Sequence, residues 1–80
     1  MDELEFTLGG ERYHLSRGEV IQKLAGAQPG RITKHAVEVE GVLHPIKTAF
    51  ARVTGLDALD FTTYQARSIF QRLRFEVRRV

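Results

Sequence analysis

Hydrophobic and polar positions alternate near the start of the chain, over residues 4–8 and 13–15. Such alternation is typical of half-buried β-strands. Gly9 and Gly10 separate the two segments, and both central positions of a primed two-residue turn need a positive φ, which glycine adopts without steric cost. The pattern therefore predicts a β-hairpin, and the turn explains both glycines without invoking a phosphate-binding loop.

A short helix is predicted directly after this hairpin. Ser16 and Glu19 have the spacing of a capping box, and Leu15 and Val20 stand at the positions of a hydrophobic staple. Gly26, followed by Pro29 and Gly30, is expected to end the helix after about two and a half turns. Hairpin and helix together form a predicted ββα unit.

A second unit of the same plan follows an aperiodic connector at residues 28–34. Alternation over 36–44 around Gly41 predicts another, shorter hairpin. Pro45 is expected at the first helical position, where its fixed φ is tolerated, and the helix is expected to end at Thr54, just before a glycine.

A third helix is the most clearly patterned element of the chain. Thr62 and Gln65 form a second capping box. Four apolar residues with helical spacing define its inward stripe: Ala66, Ile69, Phe70 and Leu73. The preceding residues 56–60 are predicted to form an irregular turn that buries Leu56 and Leu59.

A final strand is predicted at residues 75–78, where apolar and charged positions alternate again. The order ββα, ββα, α, β predicts an α+β domain with a mostly antiparallel sheet and helices on one face. The last two helices are expected to form a helix-turn-helix-like pair. A chain of 80 residues has room for one core, so residues 1–80 are expected to form a single domain.

Composition narrows the classes of function. The chain has no cysteine, which excludes disulfides and every thiolate site, and its three histidines lack the spacing of a local metal-binding pair. His35 is expected in the exposed connector. We expect no metal, no cofactor and no catalytic residue, and therefore no enzyme. The apolar runs are too short to cross a membrane, and the acidic start is unlike a signal peptide, so a cytoplasmic location is expected.

The charges are distributed unevenly along the chain. Residues 1–40 carry five basic and seven acidic side chains, a net −2, whereas residues 41–80 carry seven basic and three acidic ones, a net +4. The outward positions of the last helix contain no carboxylate; they are Tyr64, Gln65, Arg67, Ser68, Gln71, Arg72 and Arg74. An acid-free arginine face of this kind is typical of nucleic-acid binding.

The sequence therefore predicts a small DNA-binding domain with double-stranded DNA as the partner. Three arginines, Arg67, Arg72 and Arg74, are expected to contact the phosphate backbone together with Lys47 and Arg52 of the preceding helix. The polar residues of the face are candidate base readers: Tyr64, Gln65, Ser68 and Gln71. The choice between DNA and RNA stays open. The alternative is a protein-interaction or dimerisation module, which small size and the acidic N-terminal half favour.

Several segments resemble small actinobacterial modules related to accessory parts of McrA-like HNH restriction endonucleases. They are the stretch VEVEGVLHPIK at 37–47, TGL at 54–56, FTT at 61–63, QAR at 65–67 and LRFEV at 73–77. The resemblance implies a DNA-linked context and singles out Lys47, Phe61, Ala66, Arg67 and Phe75. His44 stands where the modules usually have tyrosine, and Arg74 where they have glycine. The nuclease residues themselves are absent from the chain, so the resemblance does not imply cleavage.

Overall fold

The computed structural model describes residues 2–28, 30–32 and 34–79, which form an α+β domain. The strands are β1 (Glu3–Leu8), β2 (Glu11–Ser16), β3 (His35–Val39), β4 (Val42–Pro45) and β5 (Glu76–Arg79). The α-helices are α1 (Arg17–Leu24), α2 (Ile46–Thr54) and α3 (Thr63–Arg72), and a 3₁₀ turn (Ala58–Asp60) lies between α2 and α3. The predicted fold class and element order are confirmed.

The strands divide between two antiparallel sheets. β1 and β2 form a two-stranded sheet, and the other three strands form a sheet of order β4-β3-β5. Both predicted hairpin turns are confirmed, with positive φ at Gly9 and Gly10 (58° and 83°) and at Glu40 and Gly41 (51° and 78°). The predicted closing strand pairs with β3, where Val37 lies opposite Val77.

Capping side chains begin two of the three helices. The Ser16 hydroxyl accepts the backbone N–H of Glu19, and Thr62 and Gln65 form the complete, reciprocal capping box. Pro45 was expected inside α2 but is its N-cap, one position earlier, and gives it no side-chain cap. Proline fits both positions because neither needs a backbone N–H for the helix.

Phe50 of α2 is at the centre of the core and is fully buried. Its ring lies 4.7 Å from that of Phe61 and 5.7 Å from that of Phe70, both edge-on, and 6.1 Å from the ring of Phe6 in β1. This aromatic cluster joins the N-terminal hairpin to α2 and α3. The two helices in turn pack against the three-stranded sheet.

Two predictions about individual side chains are wrong. Leu59, expected to be buried, is 93% exposed. The 3₁₀ turn is held instead by the Asp57 carboxylate, which accepts the Leu59 N–H at 2.9 Å, so no apolar contact is required there. His35, expected in an exposed connector, is half-buried and begins β3, because its backbone pairs opposite Arg79.

Candidate nucleic-acid interface

The outer face of α3 presents polar side chains on a rigid, well-capped helix. Ala66, Ile69 and Phe70 are buried against the core. Each helical residue turns by about 100°, so Tyr64, Ser68 and Gln71 follow one line on the opposite side. Tyr64 is 75% exposed, which leaves its ring and hydroxyl open to a partner. This line holds three of the four predicted base readers.

The fourth, Gln65, has a structural role as well. Its side-chain oxygen accepts the Thr62 N–H at 2.8 Å within the capping box. The amide NH₂ group still offers two donors at the start of the helix.

The two arginines of α3 lie on two flanks of this line. By the same rotation, Arg67 falls on one flank and Arg72 on the other, while Arg74 follows the end of the helix and is placed by its left-handed backbone instead. Arg72 and Arg74 are exposed, whereas Arg67 is half-buried and its Nε has no hydrogen-bond partner in the described part of the chain. The flank of Arg72 faces a groove that Thr7 of β1 also lines.

Arg74 is held in place by the way α3 ends. Its φ is 68°, a left-handed conformation, and its N–H donates to the Gln71 carbonyl at 2.9 Å while the Phe75 N–H donates to the Phe70 carbonyl at 3.0 Å. These two bonds define a Schellman motif, and the Phe70 and Phe75 rings pack 6.2 Å apart as such motifs favour. Arginine here lacks the conformational freedom of the glycine that usually occupies this position.

Within the residues that the structure describes, the arginines at and after α3 form no ion pair with a carboxylate. The ion pairs within 4.0 Å join Arg12 to Glu5, His14 to Glu3 and Glu19, and Arg78 to Glu38 and Glu76. None of them involves Arg67, Arg72 or Arg74. The α3 arginines therefore differ from Arg78, which pairs with Glu38 and Glu76.

The two cations predicted on α2 lie on different sides of that helix. Lys47 is half-buried, with its Nζ 5.3 Å from the centroid of the Phe61 ring, close to the start of α3. Arg52 lies toward α1, where its Nε donates to the Lys23 carbonyl at 3.0 Å. Lys23 returns a bond from its Nζ to the Val53 carbonyl at 3.2 Å. Lys47 therefore lies near the start of α3, whereas Arg52 links α1 to α2.

The connection between α2 and α3 is longer than in a standard helix-turn-helix. It runs over residues 55–62 and includes the 3₁₀ turn, compared with about three or four residues in the standard motif. The helices nevertheless contact each other through Phe50 and Phe70. A nucleic-acid contact by this pair would therefore depend on α3 itself more than on a standard docking geometry.

The sequence analysis did not predict that Arg31, Lys34 and His35 lie close to the start of α2 and of α3. They line a cavity together with Lys47 and Thr63, although the first two come from the connector. No periodic pattern marks that connector, so only the folded chain shows that its cations meet the start of α2.

Comparisons with known proteins give no relative for this chain: no family model, no curated protein and no solved structure matches it. Within the described residues, no helix is long and apolar enough to cross a membrane. The same part of the chain holds no group of three or more His, Asp or Glu side chains arranged for a metal ion.

Proposed function

We propose that this protein is a small, non-enzymatic DNA-binding domain that presents α3 to the duplex. The observation that carries the proposal is that the exposed Arg72 and Arg74 and the half-buried Arg67 pair with no carboxylate in the described structure. Unpaired guanidinium groups on a fixed helix favour phosphate contacts, because each can donate two parallel hydrogen bonds to phosphate oxygens.

The arrangement of the face suits a helix in the major groove, which is about 12 Å wide. Tyr64, Ser68 and Gln71 would face the base edges, and the arginines on both flanks would meet the two phosphate strands. Lys47 would add a phosphate contact next to the start of α3. In this arrangement the cationic side chains position the domain on the phosphates, and the polar side chains read the bases through hydrogen bonds.

The resemblance to accessory modules of McrA-like restriction endonucleases supports a DNA-linked setting for the same surface. Two residues that it singles out, Lys47 and Arg67, lie on one side of the proposed contact. We propose double-stranded DNA rather than double-stranded RNA, because the major groove of A-form RNA is too deep and narrow to admit a helix.

Chemical-shift mapping with a short DNA duplex tests the proposal. We expect the largest amide shifts along α3 at residues 64, 67, 68, 71, 72 and 74, and small shifts along β2. This strand serves as the internal control, because it does not line the groove beside Arg72. Shifts confined to β2, or no shifts at low salt, would contradict the proposal.

Analytical ultracentrifugation addresses the alternative of a protein-interaction module. The exposed Leu59 and the edge strand β4, where Val42 is 42% exposed, are the surfaces that self-association would use. A tight dimer without affinity for DNA would favour that alternative. A dimer that binds DNA would agree with the proposal, since many DNA-binding domains contact two half-sites.

A further inference from the structure

A cavity of about 230 Å³ lies where the start of α2, the start of β3 and the start of α3 meet. We call it the basic cleft and define it by its polar lining residues: Arg31, Lys34, His35, Lys47, Thr48 and Thr63. Among the described residues that line it, three are permanently cationic and none is a carboxylate. A concentration of like charges without an acidic partner opposes folding unless an anion offsets it.

The start of α2 adds to the positive potential of the basic cleft. Pro45, the N-cap, provides no side-chain cap, and the first turn contains no acidic residue. The first N–H groups of a helix have no partner within the helix and carry a partial positive charge. Lys47 and Thr48 belong to this first turn and line the cleft.

Two side-chain nitrogens are buried without a partner in the described structure: Nδ1 of His35, which lines the cleft, and Nε of Arg67, whose charge acts on His35. Arg67 is one helical turn beyond Thr63, so both lie on the flank of α3 that faces β3. Leaving a buried donor or acceptor unpaired opposes folding, because the group has lost its hydrogen bonds to water. An anion bound in the cleft is one way to pair such groups.

We propose that the basic cleft binds a phosphate group with two negative charges, such as a phosphate monoester or free phosphate. Lys34, Arg31 and Lys47 supply the charge, and the Thr48 and Thr63 hydroxyls supply additional donors. A doubly charged phosphate balances more of this cationic lining than an internal phosphodiester, which carries one charge. The site shares Lys47 with the proposed duplex contact, but a free anion can occupy it without α3 meeting DNA.

The pKa of His35 reflects its burial and the cationic surroundings of the basic cleft. Burial lowers its pKa, and the charges of Arg67, Arg79 and Lys34 lower it further. Those cations lie on α3, on β5 and in the connector, and Lys47 adds another charge from α2. A bound dianion would offset them, so phosphate is expected to raise the pKa of His35.

NMR titration of the whole chain with inorganic phosphate tests the site, with sodium chloride of matched ionic strength as the comparison. We expect saturable shifts at the amides of Ile46, Lys47 and Thr48 and at the His35 ring, with phosphate only. Lys34→Ala and Lys47→Met are each expected to weaken phosphate binding about tenfold, the effect of losing one charged hydrogen bond. Methionine keeps an apolar side chain against Phe61.

Arg72→Ala is the matched control, because it removes an exposed cation from the flank of α3 that does not line the basic cleft. It should leave phosphate affinity unchanged while weakening duplex binding. Loss of duplex binding with intact phosphate binding would thus separate the two proposals. Equal shifts with chloride, an unsaturable response, or Lys34→Ala and Lys47→Met variants that bind phosphate like the parent would overturn the site.

A second titration distinguishes the source of the phosphate. A short oligonucleotide with a 5′-phosphate is compared with the same oligonucleotide ending in a hydroxyl. Tighter binding of the phosphorylated form, lost in Lys34→Ala, would assign the site to a nucleic-acid end. Equal binding of both forms, with inorganic phosphate still saturating, would assign it to a small phosphate compound.

Discussion

The guanidinium of Arg17, at the start of α1, donates a hydrogen bond of 2.8 Å to the Leu73 carbonyl at the end of α3. The same group lies 4.2 Å from the centroid of the Phe75 ring. One side chain therefore caps α3 and covers the aromatic residue that follows it. This contact spans 56 positions of sequence and ties the helix of the first ββα unit to the C-terminal part of the domain.

Arg17→Lys is expected to lower the free energy of unfolding by about 1–3 kcal/mol, because lysine lacks the planar group that bonds and stacks at once. Urea denaturation measures the change. Arg12→Lys is the matched control, since Arg12 is exposed and, among the described residues, pairs with Glu5 alone; its effect should stay within about 0.5 kcal/mol. Equal effects of the two substitutions would contradict a structural role for Arg17.

Phe50→Ala is expected to unfold the domain. Removing a buried phenylalanine costs about 3–5 kcal/mol, which matches the whole stability of a chain of this size. Circular dichroism and thermal denaturation would show the loss of a cooperative transition. Leu59→Ala removes an exposed apolar side chain and should leave the transition in place; a folded Phe50→Ala variant would show that the aromatic cluster is dispensable.

Stability should fall as the pH drops below 6.5, the ordinary pKa of histidine, because of His44. This side chain is 4% exposed, and burial, followed by the charge of Arg52, lowers its pKa in the folded state. The unfolded chain then takes up a proton first, so protonation favours unfolding from about pH 6.5 down to the folded-state pKa and adds nothing further below it.

Urea denaturation between neutral and mildly acidic pH measures this dependence in the parent, in His44→Gln and in His35→Gln. His35 also has a lowered pKa, so each substitution should remove part of the slope. His14→Gln is the comparison at an exposed, acid-paired site. If the free energy of unfolding of the parent does not change over this pH range, the lowered pKa of the two histidines would be refuted.

Arg74→Gly is expected to stabilise the fold by about 1 kcal/mol, because it relieves the left-handed backbone of a residue with a Cβ. The same change removes one cation from the α3 face and should weaken duplex binding. This one variant should therefore have a higher melting temperature and a lower affinity for the duplex than the parent. A loss of stability would show that the Arg74 side chain contributes contacts that outweigh its backbone strain.

The sequence predicted features that depend on neighbouring residues. The turns at Gly9–Gly10 and Gly41 and the capping box of Thr62 and Gln65 follow from local backbone chemistry, and the inward stripe of α3 follows from helical spacing. The α3 face could be predicted for the same reason, since the stripe determines which residues point away from the core.

Features that depend on distant contacts could not be predicted in this way. Arg17 contacts the Leu73 carbonyl only when α1 packs beside the C-terminal end of α3. Arg52 lies toward α1 because its side chain donates to the Lys23 carbonyl. His35 becomes half-buried because β5 pairs beside it. The basic cleft likewise assembles cations from three parts of the chain that show no common pattern.

The most direct test of the α3 interface is the salt dependence of duplex binding, measured by fluorescence anisotropy. The logarithm of the affinity should fall linearly with the logarithm of the salt concentration, and the variant with Arg72→Ala and Arg74→Gly should have a slope smaller in magnitude by about 2, one for each lost phosphate contact. Arg12→Ala should leave the slope unchanged. An absence of binding at low salt, or the same slope in the double variant as in the parent, would contradict the account.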